Sequence, residues 1–254
     1  MKNPIRTLPA ILLALFAAGA VQASPTSLAS LLGGGSITAG DKLFDHWTLV
    51  NYTSSDATRN FNAANIEVTA LADGGTSPGP GLSFAVNNGE LNVVGDDIYA
   101  FIDLMFGFSV TALNPGMQIK DNSLQYTAGG AFWSIAVDGS SDAGSYIREN
   151  VDTTGVLSNA AALGDLGTTE IEFSILDGGS GQTSTSLISD SATFAPQSTV
   201  WVTKNLFVWA ADATDSAGIF GFEQRFSQTS VPEPASLALV GIALFGMLAP
   251  RRRA

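Results

Sequence analysis

Thr168-Thr169-Glu170-Ile171-Glu172-Phe173-Ser174-Ile175-Leu176 alternates apolar and polar side chains with a period of two. Ile171, Phe173 and Ile175 fall on one side of an extended backbone and Glu170, Glu172 and Ser174 on the other, as a strand buried on one face requires. Asp177-Gly178-Gly179 follows, a turn in which glycine supplies positive φ and Asp tolerates it. The same grammar recurs along the chain. Further strands are predicted at residues 43–52, 65–71, 82–86, 90–94, 99–113, 124–127, 132–137, 146–151, 187–194, 199–203, 206–210 and 219–227. Asp73-Gly74-Gly75, Asn87-Asn88-Gly89, Asn114-Pro115-Gly116 and Asp138-Gly139 punctuate them. Short strands broken at close intervals by turn residues predict an all-β fold, an antiparallel β-sandwich of jelly-roll-like type.

Residues 99–113 differ from their neighbours because both faces are apolar, with Ile102, Leu104, Phe106 and Phe108 against Phe101 and Met105. That pattern predicts a central strand, or a pair of strands joined at Gly107, and a buried Asp103 would need a partner. No segment away from the termini shows sustained helical periodicity, and 159–163 is the best short helix candidate. Residues 24–40, with Gly33-Gly34-Gly35, read as a flexible lead-in, 41–228 as the β-sandwich domain, and 228–231 as a stalk.

The chain has no cysteine, so disulfides, metal–thiolate sites and cysteine nucleophiles are excluded. At the amino terminus Lys2 and Arg6 precede an apolar stretch from Leu8 to Ala18 and the small-residue site Val21-Gln22-Ala23. Residues 1–23 are therefore expected to form a signal-peptide helix, cleaved between Ala23 and Ser24 by signal peptidase after passage through the Sec translocon. At the other end, Pro232-Glu233-Pro234 is followed by an uncharged run from Leu237 to Ala249, then Pro250 and Arg251-Arg252-Arg253. The prolines keep the motif out of sheet and helix, leaving it extended for another protein to read. As a helix the apolar run would cover roughly 20 Å, a marginal single membrane span before processing. The three arginines hold its end in the cytoplasm and leave the rest of the chain outside. Setting both termini aside removes five of 11 basic residues and one of 23 acids, so the exported part carries six against 22, or −16. That charge disfavours nucleic acid and anionic lipid, and suits cations or basic partners.

Residues 229–254 resemble the PEP-CTERM sorting signal of exported Gram-negative proteins. Pro232, Glu233 and Pro234 match its motif, and Arg251, Arg252 and Arg253 match its membrane stop. The resemblance extends in outline to residues 40–47, 119–124 and 222–228. It implies processing by an exosortase-like membrane protease or transpeptidase, and a secreted β-domain associated with the cell surface or extracellular polysaccharide; a non-enzymatic matrix protein is the expectation, with a carbohydrate-binding module and a polysaccharide hydrolase as alternatives. It brings no catalytic residues with it.

The side chains themselves allow a few chemistries. His46 is the only histidine, and no Gly-x-Ser-x-Gly turn presents a nucleophile to it, so a packed or solvated ring is expected. Glu170 and Glu172 sit at i and i+2 on one strand face, a spacing open to glycoside hydrolysis, while the clean alternation equally makes them solvated exterior residues. Calcium is the one cofactor considered, at Asp73-Gly74-Gly75, Asp138 to Asp142 and Asp212 to Asp215, though none of these fits a calcium loop. Carbohydrate binding would use exposed rings. Trp47, Trp133, Trp201, Trp209, Tyr52, Tyr126 and Tyr146 are available, Trp201 and Trp209 being expected in the core. Tyr146, beside Gly144 and Arg148, and Trp133 are the rings to test.

Overall fold

The computed structural model describes residues 24–73, 77–136, 141–159, 162–178 and 181–231. The expected signal peptide up to Ala23, the motif Pro232 to Pro234, the apolar run, Arg251 to Arg253 and the turns at 74–75 and 138–139 lie outside the described residues. In chain order the strands are β1 (Thr26–Ser27), β2 (Ile37–Ala39), β3 (Lys42–Ser54), β4 (Ile66–Leu71), β5 (Gly81–Val86), β6 (Asn92–Val94), β7 (Ala100–Ala112), β8 (Met117–Tyr126) and β9 (Ala131–Ser134). They continue as β10 (Asp142–Asp152), β11 (Gly167–Asp177), β12 (Gln182–Leu187), β13 (Ser189–Gln197), β14 (Thr199–Ala210), β15 (Ser216–Ile219), β16 (Gly221–Arg225) and β17 (Gln228–Ser230). A short α-helix, α1 (Leu28–Leu32), joins β1 to β2, and a 3-10 turn at Ala63–Asn65 precedes β4.

Every strand pairing is antiparallel. One sheet has the order β12-β11-β10-β14-β7-β3-β2; a second runs β1-β4-β5-β16-β8-β13 with β17 also on β8; and β6-β15-β9 form a small third. The two large sheets face each other across one core. Period two drives this directly: Ile102, Leu104, Phe106, Phe108 and Val110 of β7 and Val200, Val202, Leu206 and Val208 of β14 all point inward and are fully buried. From the opposite sheet Phe84 reaches Phe106 at 6.0 Å and Trp47 at 6.4 Å, while Phe226 meets Phe44 at 6.0 Å. Each such side chain contributes about 1.5–3 kcal/mol by leaving water.

The strand predicted from Thr168 to Leu176 is β11, with Ile171 and Ile175 buried. Residues 99–113 form one strand without a break at Gly107. The glycine is there because a Cβ would stand 2.5 Å from Val156 Cγ1, so the segment after β10 can seat on the strand only where a side chain is missing. Residues 199–203 and 206–210 are likewise one strand, β14, continuous through Lys204-Asn205. β12 was not predicted, because Gln182–Leu187 is almost wholly polar and forms an exposed edge.

The expected flexible lead-in instead supplies β1, α1 and β2. Ser27 caps α1 by accepting the Ser30 N–H at 3.2 Å, Gly33 closes it by donating to Ala29 O at 3.1 Å, and Leu28 and Leu31, three apart, are fully buried. The expected stalk is also part of the sheet. Gln228, Thr229 and Ser230 pair with Ile119, Gln118 and Met117, and the buried Lys42 donates to Gln228 Oε1 at 2.9 Å. Within 159–163, residues 160 and 161 are outside the described residues; Asn159, Ala162 and Leu163 are not helical, and Ala162 N–H donates to Asn159 O at 3.1 Å.

Candidate functional site

The sheet containing β14 has a second face, turned away from the core, and its residues follow from register. Phe207 stands opposite Tyr146 on β10 and Asp103 on β7, and Tyr146 stands opposite Glu172 on β11. The adjoining rows are Glu170, Arg148, Asn205 and Met105 on one side, and Ser174, Gly144, Trp209 and Phe101 on the other. Strands about 4.8 Å apart therefore bring five rings into one stripe. Tyr146 and Phe207 stack at 5.4 Å, Phe101 and Phe207 at 5.9 Å, Phe207 meets Trp209 at 5.7 Å, and Tyr99 extends the stripe from Phe101 at 6.5 Å. Tyr99 is exposed; Phe101, Tyr146 and Phe207 are half-buried. Trp209 is the floor. A Cβ on Gly144 would lie 2.8 Å from its Cζ2, so only glycine there lets the indole lie across β10, and its Nε1 donates to Asp142 Oδ1 at 2.7 Å.

Polar groups border the rings. Arg148 Nε donates to Glu170 Oε2 at 2.6 Å and carries its guanidinium 5.8 Å from the Tyr146 ring centre. Ser174 donates to Glu172 Oε1 at 2.5 Å. A relay runs from the Tyr146 hydroxyl to Asn205 Oδ1 at 3.1 Å and from Asn205 Nδ2 to Asp103 Oδ1 at 2.5 Å, which supplies the partner Asp103 needed. Burial pushes the Asp103 carboxyl up, with the Asn205 bond offsetting part of the rise. Burial and then the Asp142 charge push the Tyr99 phenol up to about 12, so at neutral pH it is a hydrogen-bond donor. The segment after β10 closes one end of the face: Leu157 N–H donates to Thr203 Oγ1 at 2.7 Å, and Val156 rests on Gly107. A separate concavity of about 370 Å³ beside Tyr126, Phe173 and Ile188 has no charged group in its lining.

Residues 230–253 match the family model described as the PEP-CTERM protein-sorting motif. The chain carries a PEP-CTERM sorting signal. PEP-CTERM proteins are exported and processed by an exosortase-like membrane enzyme, from a membrane-anchored precursor to a cell-surface or extracellular product. No curated protein matches the chain. Similar solved structures include TmCBM61 in complex with β-1,4-galactotriose, at 11% identity and TM-score 0.22 over 73% of this chain and 89% of that one. Another is the Trichoderma harzianum endoglucanase 3 of family GH12, at 9% identity and TM-score 0.21 over 83% and 100%. Likeness at that level carries no argument. The sheet continues to the start of the matched segment, since Ser230 pairs with Met117 and Val231 N–H donates to Gly116 O at 2.8 Å.

Other predicted residues fall elsewhere. Trp47 is in the core, 4.3 Å from Phe108, and Trp133 packs on Phe173 at 5.9 Å, so neither lies on the ring stripe. Trp201, expected in the core, is half-buried on the outer face, because β14 turns Val200, Val202 and Val208 inward; Trp209 is buried as expected, but beneath the rings of that outer face. His46 sits in a bulge with φ of 54°. Asp45 at 2.8 Å and Ser109 at 3.1 Å both meet its Nδ1, whereas a nucleophilic triad places serine and acid on opposite ring nitrogens. Two of the aspartates in the oxygen-rich turns, Asp73 and Asp215, hold protein groups. Asp73 accepts from Arg225 at 2.9 Å, and Asp215 accepts the N–H groups of Ala136, Asp142 and Asp212 at 3.2 to 3.3 Å. Among the described residues no group of three or more His, Cys, Asp or Glu side chains is placed to hold a metal.

Proposed function

We propose that this exported protein is a component of the extracellular matrix whose β-domain binds extracellular polysaccharide on the outer face of the β14 sheet. The carrying observation is the stripe of Tyr99, Phe101, Phe207 and Tyr146, flat rings left partly open among carboxylates, an amide and a guanidinium. A pyranose presents an apolar C–H face and a rim of hydroxyls, and such a surface complements both. Ahead of this role we place cleavage between Ala23 and Ser24 by signal peptidase, a single membrane span at 237–249, recognition of Pro232, Glu233 and Pro234 by the exosortase-like enzyme, and retention of Arg251, Arg252 and Arg253 in the cytoplasm.

Affinity electrophoresis of the exported protein through gels containing the cell's own exopolysaccharide tests the binding. Retardation is expected, with about tenfold weaker binding in Tyr146→Ala, equivalent to about 1.4 kcal/mol. Equal mobility with and without polymer would refute the reading, whereas new reducing ends that disappear in Glu172→Gln would make the face a hydrolase. Intact mass and terminal peptides of protein recovered from the surface and the medium test the processing. A chain starting at Ser24 and ending beside Pro232 to Pro234 is expected, and one retaining the apolar run and arginines would make that tail a plain anchor.

A further inference from the structure

Between the two large sheets, inside the apolar core, lies a sealed set of polar side chains that binding at the outer face does not use. Lys204 and Glu149 stand directly opposite each other on β14 and β10, both side chains at 0% exposure, with Lys204 Nζ bonded to Glu149 Oε2. From the facing sheet, Asn122 Nδ2 donates to Glu149 Oε1 at 2.6 Å and Gln224 Nε2 donates to the same oxygen at 2.5 Å. Asn122 Nδ2 also reaches Thr169 Oγ1 at 3.2 Å. Phe84 and Phe222 close the other side, their ring centres 5.6 and 5.2 Å from Nζ. One carboxylate thus holds an amine on one oxygen and two primary amides on the other.

This set is poorly explained as a structural ion pair. The carbonyl oxygens Asn122 Oδ1 and Gln224 Oε1 are buried with no hydrogen-bond partner, so two polar atoms of the set stay unsatisfied in a dry interior. Desolvation also lowers the Lys204 pKa, favouring the neutral, nucleophilic amine. An amine, a proton carrier and an unsatisfied carboxamide, shut away from water, are the components of amide exchange.

We propose that Lys204 and Asn122 become joined by a side-chain amide bond, formed within the folded domain with Glu149 carrying the protons. Glu149 Oε2 takes a proton from the Lys204 ammonium, and the freed lone pair attacks Asn122 Cγ. As the tetrahedral centre collapses, the Cγ–Nδ2 bond breaks and Glu149 passes that proton to the leaving nitrogen, which departs as ammonia; the second proton on the attacking nitrogen then passes through Glu149 to the ammonia, leaving a neutral amide. In sum, an ammonium side chain and a primary amide become a secondary amide and an ammonium ion, and the Glu149 carboxylate is regenerated. No oxidant or metal is required. The new bond ties β14 of one sheet to β8 of the other, a covalent staple across a sandwich that has no cysteine to make one.

The test is the intact mass of the folded, full-length exported protein, compared with the mass calculated for its own mapped termini. The expected mass is lower by one ammonia, and digestion yields a branched peptide joining Lys204 to Asn122. Both signatures vanish in Lys204→Met and in Asn122→Ala, while Gln224→Leu retains them. An unmodified wild-type mass overturns the proposal whether or not any variant folds. So does ammonia loss without a branched peptide, which would be cyclisation of an asparagine, and so does a branch through Gln224.

Discussion

Lys204 and Asn205 are consecutive residues of β14, and the pleat sends them to opposite sides of one sheet. Each belongs to a polar cluster with an arginine or lysine, a glutamate and an amide. Inside, Lys204 meets Glu149 with neither side chain exposed; outside, Arg148 meets Glu170 with each side chain at 34%. The clusters are alike in composition and unlike in environment. Water is available to replace either partner of the Arg148–Glu170 pair, and none is available to the Lys204–Glu149 pair. The inner set is therefore an all-or-nothing commitment of the fold, and the outer set can be altered without unfolding it.

Removing one member of each cluster should give very different losses. Glu149→Ala leaves Lys204 buried without its counter-charge, and a cost of about 3–5 kcal/mol is expected. Urea denaturation would show it as a lower midpoint, or as failure to recover soluble protein. A loss below about 1 kcal/mol would mean that water reaches the interior and that the contrast between the two faces is false.

The next largest effect should come from filling the gap beneath Val156. Gly107→Ala places a methyl 2.5 Å from both Val156 Cγ1 and the backbone oxygen of Val202, and overpacking of this kind costs about 1–3 kcal/mol. Proteolysis should then cut first in the segment after β10, because its seat on β7 is lost. Resistance equal to that of wild type would show that this cover is held by Leu157 and Thr203 alone.

How much of this was legible in the sequence depended on distance along the chain. Alternation at Ile171, Phe173 and Ile175 gave β11 and put Glu170 and Glu172 together on the outer face, since a period of two is a local property. Tyr146 was singled out by its polar neighbours. Asp103, Phe101 and Phe207 were not gathered to it, because only register across β7, β14 and β10 joins them, and register is set by contacts far apart in sequence. Lys204-Asn205 read as a break between strands for the same reason that it matters: two polar residues in an apolar run resemble a turn unless a partner such as Glu149 is known. Hydrophobicity alone predicts burial for Trp201 and Trp209; Trp209 is buried, yet the phase of the neighbouring valines turns both rings to the outer face, where Trp201 stays half-buried. The three glycines at 33–35 suggested flexibility; in the fold the first of them closes a helix.

A smaller effect should separate the outer face from the inner one by pH. The Asp103 carboxyl is raised above its ordinary 3.8 by burial, so the folded chain holds that proton more tightly than the unfolded chain does. Its contribution is fully present below the unfolded value and is lost as pH rises through the folded one. Asp103→Asn removes this loss while keeping an acceptor for Asn205 Nδ2. The variant's melting temperature should therefore gain on wild type between acid and neutral pH, and parallel curves would place Asp103 in effectively aqueous surroundings.

The smallest effect expected is at the outer ion pair. Glu170→Gln keeps the size and an acceptor oxygen for Arg148 Nε and removes one charge from a half-exposed pair that salt already screens. The cost should be no more than about 1 kcal/mol and should shrink further in concentrated salt. The same substitution frees Arg148 from its carboxylate beside the Tyr146 ring, so polysaccharide affinity should change more than stability does. A large stability loss with unchanged binding would reverse the assignment of the two faces. It would make the Arg148–Glu170 pair part of the scaffold, and the ring stripe beside it would then be only the sheet's packed exterior.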